Sequence, residues 1–253
     1  MKKIVTILAL FISYNAISWG NVGHRVVGEV AQKHLSKKAK KELHRVFEHE
    51  SLAYNANWMD HMKSESKYDY MKPWHYCTIP DDQTYAEAGT PHEGDIIWAI
   101  NNFTGQLKSD TLTVDEERFA LRILIHLVGD IHQPLHVGNG EDRGGNSVKI
   151  NFFWKDSNLH GIWDSGMIEG EKLSFTEWAM FIDHNETGEV EELQNSSPLD
   201  WANESKAMRA SVYEFNGKDN LTYNYVHTHR KNVERRLKQA GIRLAGLINE
   251  IYE

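Results

Sequence analysis

Two short stretches limit what this chain can fold into more than anything else in it. In "ILIHLVGDIHQPLHVG", His126 and Asp130 lie four residues apart inside an apolar run, and "NLHGIWDSG" repeats the spacing with His160 and Asp164. On a helix, residues four apart share one face, one turn from each other. A carboxylate among apolar neighbours cannot be buried without a cation or hydrogen-bond donors, so the fold has to bring partners to Asp130. His136 lies two residues beyond Pro134, where a helix must stop, so it can turn back towards the same place. His75 in "KPWHYC" and Asp60 in "NWMDHMK" are further isolated candidates. One His–Asp pair alone reads as a surface hydrogen bond or a satisfied polar pair in a core. Two such pairs, together with separate His and Asp positions, favour a metal, and histidine–carboxylate sets without paired cysteines suit zinc.

The rest of the chain supplies a helical frame for that constellation. Val22, Val26, Val27 and Val30 predict a first helix. Phe119, Leu121, Ile125, Leu127 and Val128 predict a long central one that ends before Pro134. Leu237, Leu244, Leu247, Ile248 and Ile251 form an apolar stripe on a last helix. The one persuasive strand is Asn146–Trp154, "NSVKINFFW", which alternates and carries β-branched and aromatic residues. Gly138–Gly145, "GNGEDRGG", is a loop by composition, and Asp183–Asn203 is expected to be a polar surface excursion. No repeat or linker divides the chain, so the expectation is a single, mainly α, multi-helical domain with a small β-hairpin.

Residues 1–18 have the order of a secretory signal: Lys2 and Lys3, an apolar run from Ile4 to Ile12, then small residues at Ala16 and Ser18. The run is shorter than the roughly 20 residues a membrane span needs. The mature chain is therefore expected to be Trp19–Glu253, secreted or periplasmic, with no integral membrane association after processing. A single cysteine, Cys77, allows no intrachain disulfide and reads as a small buried thiol. The formal charge is −8, and removing Lys2 and Lys3 makes it more negative. Such a chain has no general attraction for nucleic acid or anionic lipid, so a phosphate-ester substrate would need local cations, with metal ions the obvious source.

Cleavage before Trp19 would expose an amino group there. That amine and the carbonyl of the same residue can chelate a metal, since a divalent ion readily displaces a proton from a group with pKa near ~8. His24 could add a nitrogen from the first helix. Of the 14 histidines, His34, His44, His49, His92, His184, His227 and His229 lie in polar surroundings and are expected to be solvated. His61 and His132 adjoin candidate ligands but face elsewhere on a helix, and both stay unassigned.

The stretches "WGNVGH", "NWMDHMK", "PWHY", "HLVGDIHQPLHVG", "GGN" and "NLHGIWDSG" occur in this order in the zinc-dependent single-strand nucleases and 3′-nucleotidases typified by nuclease P-one. The resemblance extends to "DWANES" and "AGIRLAGLIN" and so covers the whole mature chain. It implies the mostly helical fold shared with zinc-dependent bacterial phospholipase C, and three zinc ions. Asp60, His75, His126 and Asp130 resemble the ligands of one. Asp130 would bridge to a second, held by the Trp19 amino group and carbonyl and by His24. His136, His160 and Asp164 resemble the ligands of the third. Lys63 stands where family members commonly have an Arg on the reacting phosphate, so it keeps the charge but loses the bidentate fork. Tyr76 stands where the family often has an aromatic that stacks on a base.

The activity so implied is hydrolysis of single-stranded DNA and RNA to 5′-phosphate products, together with 3′-nucleotidase activity, by a protein expected to be monomeric. Asp60, Lys63 and Asp130 would be catalytic. Zinc lowers the pKa of its water towards ~7, and hydroxide attack on phosphorus in line would follow, with the third zinc at the departing 3′-oxygen. Two other readings stand beside this one: a phospholipase C on the same scaffold, and an exported protein that only binds zinc or nucleic acid. Structural zinc sites are usually closed and rich in cysteine, and that weighs against the second.

Overall fold

The computed structural model describes residues 19–109 and 111–253. The signal reading of residues 1–18 lies outside the described residues. Seven α-helices of eight residues or more carry the frame among them: α1 (Asn21–His34), α2 (Lys37–Phe47), α3 (Ile96–Lys108), α4 (Val114–Ile131), α5 (Phe175–Ile182), α6 (Pro198–Val212) and α7 (Tyr223–Ile251). Shorter helical turns join them. The expected mainly α fold is what the structure shows.

The central helix α4 starts at a capping box, in which the Thr113 hydroxyl accepts from the Glu116 amide while the Glu116 carboxylate accepts from the Thr113 amide. From Leu121 onward its only residue outside the interior is Arg122. It ends where Gln133 turns extended ahead of Pro134. Helix α1 packs along α7, and α3 along α4. The α1–α7 approach depends on Gly241, where a Cβ would come within 2.5 Å of the Val30 Cβ.

Strands are few and short. β1 (Cys77–Thr78) pairs in parallel with β2 (Val137–Gly138). β3 (Lys149–Phe152) pairs antiparallel with β4 (Lys155–Asn158) and parallel with β5 (Asn220–Leu221). The expected hairpin is therefore present, but its first strand is shorter than Asn146–Trp154. Phe153 and Trp154 form the two-residue turn at φ 48° and 63°, the left-handed pair that matches the twist of the flanking strands.

Three further expectations change. Asp183–Asn203 is no simple surface excursion: it holds a helical turn, Glu189–Gln194, and the start of α6, with Leu193, Trp201 and Ala202 buried. His229 is buried, its ring 5.3 Å from Trp163 and 4.3 Å from Tyr225. The inward face of α7 begins at Tyr225, ahead of the aliphatic stripe, and His229 falls on it. His34 is half-buried, with Nε2 2.7 Å from Asp183 Oδ1. Cys77 is buried as expected, and burial pushes its thiol well above the usual range.

His132 is settled as a structural residue. Its Nδ1 donates to the Val128 carbonyl at 2.7 Å, and its Nε2 lies 2.9 Å from Arg243 Nη1. Burial, with Arg236 and Arg243 beside it, keeps the ring neutral. Those two buried arginines of α7 share the carboxylate of Glu204 on α6, and Arg236 also donates to the His132 carbonyl at 3.0 Å. They anchor the end of α4 just past Asp130.

Candidate metal centre

Six segments meet at the end of α4 to supply the candidate ligands. His126 and Asp130 project from α4 itself and His24 from α1. Asp60 comes from the turn Trp58–Met62, and His75 ends a 3-10 stretch, Ser66–His75. His136 ends the turn Pro134–His136, and His160 and Asp164 straddle a helical turn that widens to π form over Ile162–Gly166. The structure gathers them into three groups: His24, His126 and Asp130; Asp60, His75 and His126; His136, His160 and Asp164. In each group one ligand atom per residue lies within 4.8 Å of the others.

Asp130 joins the first two groups. Its Oδ1 is 3.2 Å from His24 Nε2, and its Oδ2 is 2.8 Å from His75 Nδ1 and 3.3 Å from His126 Nε2. Its two oxygens therefore face different partners, as a bridging carboxylate would. Gly129 makes room for this. A Cβ there would lie 2.8 Å from His24 Nδ1, whereas in its absence the His24 ring stacks on His126 with centroids 3.9 Å apart.

Backbone carbonyls aim the rings. His126 Nδ1 is 2.7 Å from the Ala56 oxygen, His136 Nδ1 2.6 Å from the His75 oxygen, and His160 Nδ1 2.6 Å from the Gly144 oxygen. Each carbonyl takes the Nδ1 proton and turns Nε2 inward as a ligand nitrogen, the usual arrangement around a bound metal. Gln133 does the same for a carboxylate: its Nε2 donates to Asp164 Oδ1 at 2.6 Å, while its Oε1 accepts from the Leu135 amide.

The donor set fits a metal. Zinc bonds of ~2.1 Å in a tetrahedron put neighbouring ligand atoms about 3.4 Å apart. Here His126 Nε2 to Asp60 Oδ1 is 3.6 Å, His160 Nε2 to Asp164 Oδ2 is 3.1 Å and His136 Nε2 to Asp164 Oδ1 is 3.7 Å. Among the described residues, buried Asp130 Oδ1, His136 Nε2 and Asp164 Oδ2 make no hydrogen bond, a costly state unless a cation completes it. The electrostatics agree. Burial by itself would raise the carboxyls of Asp130 and Asp60, yet the His126 ring beside both holds them below the usual range. Burial would lower His136, yet Asp130 and Asp164 bring it up to about 9. The pocket is built to favour positive charge.

Asp60, His75, His136 and His160 line a cleft of about 830 Å³ whose walls also include Lys63, Tyr76 and Arg143. Lys63 Nζ is 2.5 Å from Asp60 Oδ1, and Tyr76 is half exposed. The Trp19 side chain is fully buried, and the Gly20 amide donates to the Asp164 carbonyl at 2.7 Å. The start of the described chain therefore lies beside the third group, while His24, one turn on, reaches the first. The sequence reading missed Gln133 and Arg143. Gln133 had a signal, a polar side chain between a helix end and a proline. Arg143 had none beyond its place in a glycine-rich loop.

A helical domain with buried His/Asp clusters beside a cleft is one that could hold metal ions there. Residues 19–253 match the family model described as S1/P1 Nuclease, and the chain belongs to that family. It is 29% identical to Endonuclease 2 of Arabidopsis thaliana, across 100% of this chain and 97% of the relative. Nuclease S1 of Aspergillus oryzae is 31% identical over 67% of this chain and 62% of its own. Nuclease P1 of Penicillium citrinum is 28% identical over 92% of this chain and 98% of its own.

Proposed function

We propose that this protein is an exported zinc-dependent endonuclease. It cleaves single-stranded DNA and RNA to 5′-phosphate products and removes the phosphate of nucleoside 3′-monophosphates. The observation that carries this reading is that the buried carboxylate of Asp130 faces His24 with one oxygen and His75 and His126 with the other, with a third ligand group beside them. Histidine and carboxylate donors without thiolate suit zinc, and three groups make three ions. Asp60, His75, His126 and Asp130 would hold one, and Trp19, His24 and Asp130 a second. His136, His160 and Asp164 would hold the third. Bound zinc supplies Lewis acidity, which lowers the pKa of water and offsets charge on phosphoryl oxygens.

The chain's own residues do the rest. Asp60 and Asp130 keep their carboxylates ionised beside the histidines and so remain ligands rather than acids. Lys63 stands on the cleft wall against Asp60 and places its ammonium at the equatorial oxygens of the phosphate. The His136–His160–Asp164 group lies on the side taken by the departing 3′-oxygen. Tyr76, exposed at the cleft edge, offers a face to an unstacked base, and stacking of about 1–3 kcal/mol per base explains a preference for single strands without sequence choice. Export fits the Trp19 amino group as a ligand, since that group exists only after cleavage before Trp19. The protein acts as a monomer, and no helix among the described residues is long and apolar enough to cross a membrane.

Release of 5′-mononucleotides from a single-stranded oligonucleotide by zinc-loaded protein beginning at Trp19 tests the reading. Asp60→Ala is expected to abolish it. Full activity in purified Asp60→Ala would overturn the site, and zinc-loaded wild type that cleaves only phospholipids would replace the nuclease with a phospholipase C.

A further inference from the structure

Three lysine or arginine side chains line the cleft, and among the described residues only one of them lacks a partner. Lys63 is paired with Asp60, and Lys72 with Asp69 at 2.9 Å. Arg143 makes no side-chain hydrogen bond or ion pair among the described residues, although it is exposed beside the acidic Glu141 and Asp142. Asp142 is already engaged, accepting from the Gly145 amide at 2.9 Å and from the Tyr213 hydroxyl at 2.7 Å.

The backbone holds Arg143 there at a cost. Its φ is 59°, and Gly144 and Gly145 follow at 61° and 78°. An arginine in the left-handed region is strained by about 1 kcal/mol where glycine would not be. The loop is pinned at Arg143 and at the residue after it. Asn146 Nδ2 donates to the Arg143 carbonyl at 3.0 Å, and the Gly144 carbonyl accepts from His160 Nδ1. Strain kept at a cleft wall, under a cation with nothing to bind inside the protein, indicates a ligand from outside it.

The geometry points to Arg143 as the residue that binds a second substrate phosphate, the 5′-phosphate of the nucleotide whose 3′-oxygen departs. This rests on the nuclease reading above. Through Gly144, Arg143 adjoins His160, on the side of the leaving oxygen, while Lys63 stands by Asp60 at the phosphate being cut. The planar guanidinium gives this second phosphate the two-pronged contact that Lys63 cannot give the first. The enzyme then prefers polynucleotides and 5′-phosphorylated ends over substrates with a single phosphate.

The test compares two dinucleotides that each hold one cleavable bond, TpT and pTpT, in zinc-loaded protein beginning at Trp19. The wild type is expected to cleave pTpT with a kcat/KM about tenfold above TpT, as a charge-assisted contact requires. In Arg143→Ala the ratio is expected to fall to about one, with Arg143→Lys between. Arg143→Gly relieves the backbone strain and removes the guanidinium. It is expected to keep the wild-type Tm and lose the ratio, which a merely structural role would not produce. Binding of a phosphorothioate oligonucleotide should also lose about 0.7 of its log–log salt slope in Arg143→Ala, one phosphate contact on a single strand. A wild-type ratio near one, or a ratio unchanged in Arg143→Gly, overturns the assignment while leaving the nuclease in place. No turnover of either dinucleotide by the wild type overturns both.

Discussion

The ring of His136 is held by the backbone of His75: Nδ1 of the first lies 2.6 Å from the carbonyl oxygen of the second, 61 residues apart in sequence. Immediately beyond them the two segments pair as β1 and β2, Cys77 against Val137. Arg209 clamps that pair from α6, donating to the Val137 and Ile79 carbonyls at 2.8 Å each. Arg209→Met leaves both buried carbonyls unsatisfied, so we expect a loss of about 2–4 kcal/mol in denaturant unfolding. Zinc affinity should weaken with it, because two ligand segments lose their common brace.

Gln133→Leu removes the donor that orients Asp164 without changing the volume greatly. Loss of such an outer partner typically costs 10–100-fold in metal affinity. The expected result is a fold that is retained by circular dichroism and one zinc that is lost first in a chelator titration. Retention of all bound zinc with wild-type affinity would contradict the role assigned to Gln133.

Glu204→Ala leaves the buried guanidiniums of Arg236 and Arg243 without their shared carboxylate. Breaking a buried pair costs about 3–5 kcal/mol. Because Glu204 itself is about one-third exposed, water can replace part of the contact, and the lower end of that range is expected. Thermal unfolding measures it directly.

His229 carries a pH dependence whose sign follows from its burial. Burial lowers its pKa to about 4 from 6.5, so below pH 6.5 the unfolded chain takes a proton that the folded one refuses. Its contribution is thus fully present above pH 6.5 and is lost as pH falls towards 4, at up to ~1.4 kcal/mol per unit. His229→Gln is expected to flatten the stability profile over that window.

One extra Met before Trp19 converts the proposed amino-group ligand into an amide. We expect protein with this extension to bind one zinc fewer and to lose nearly all turnover, measured by metal content and by oligonucleotide cleavage. Equal metal content and activity in the two forms would make the junction before Trp19 a matter of processing alone.

Local pattern was enough for much of this molecule. The i, i+4 spacing of His126 with Asp130 and of His160 with Asp164 and the apolar period of α4 are short-range properties, and each can be read from neighbours along the chain. The candidate ligands were legible for the same reason, since buried carboxylates within apolar runs require a cation or hydrogen-bond donors wherever the chain goes. Tertiary structure decided what depends on partners far apart in sequence. It put the two oxygens of Asp130 against different histidines, let His24 lie over Gly129, placed His229 inside, and left Arg143 alone on the cleft wall. None of these has a local signature. Burial and pairing are properties of the surface that another segment presents, and that surface exists only once the helices have packed.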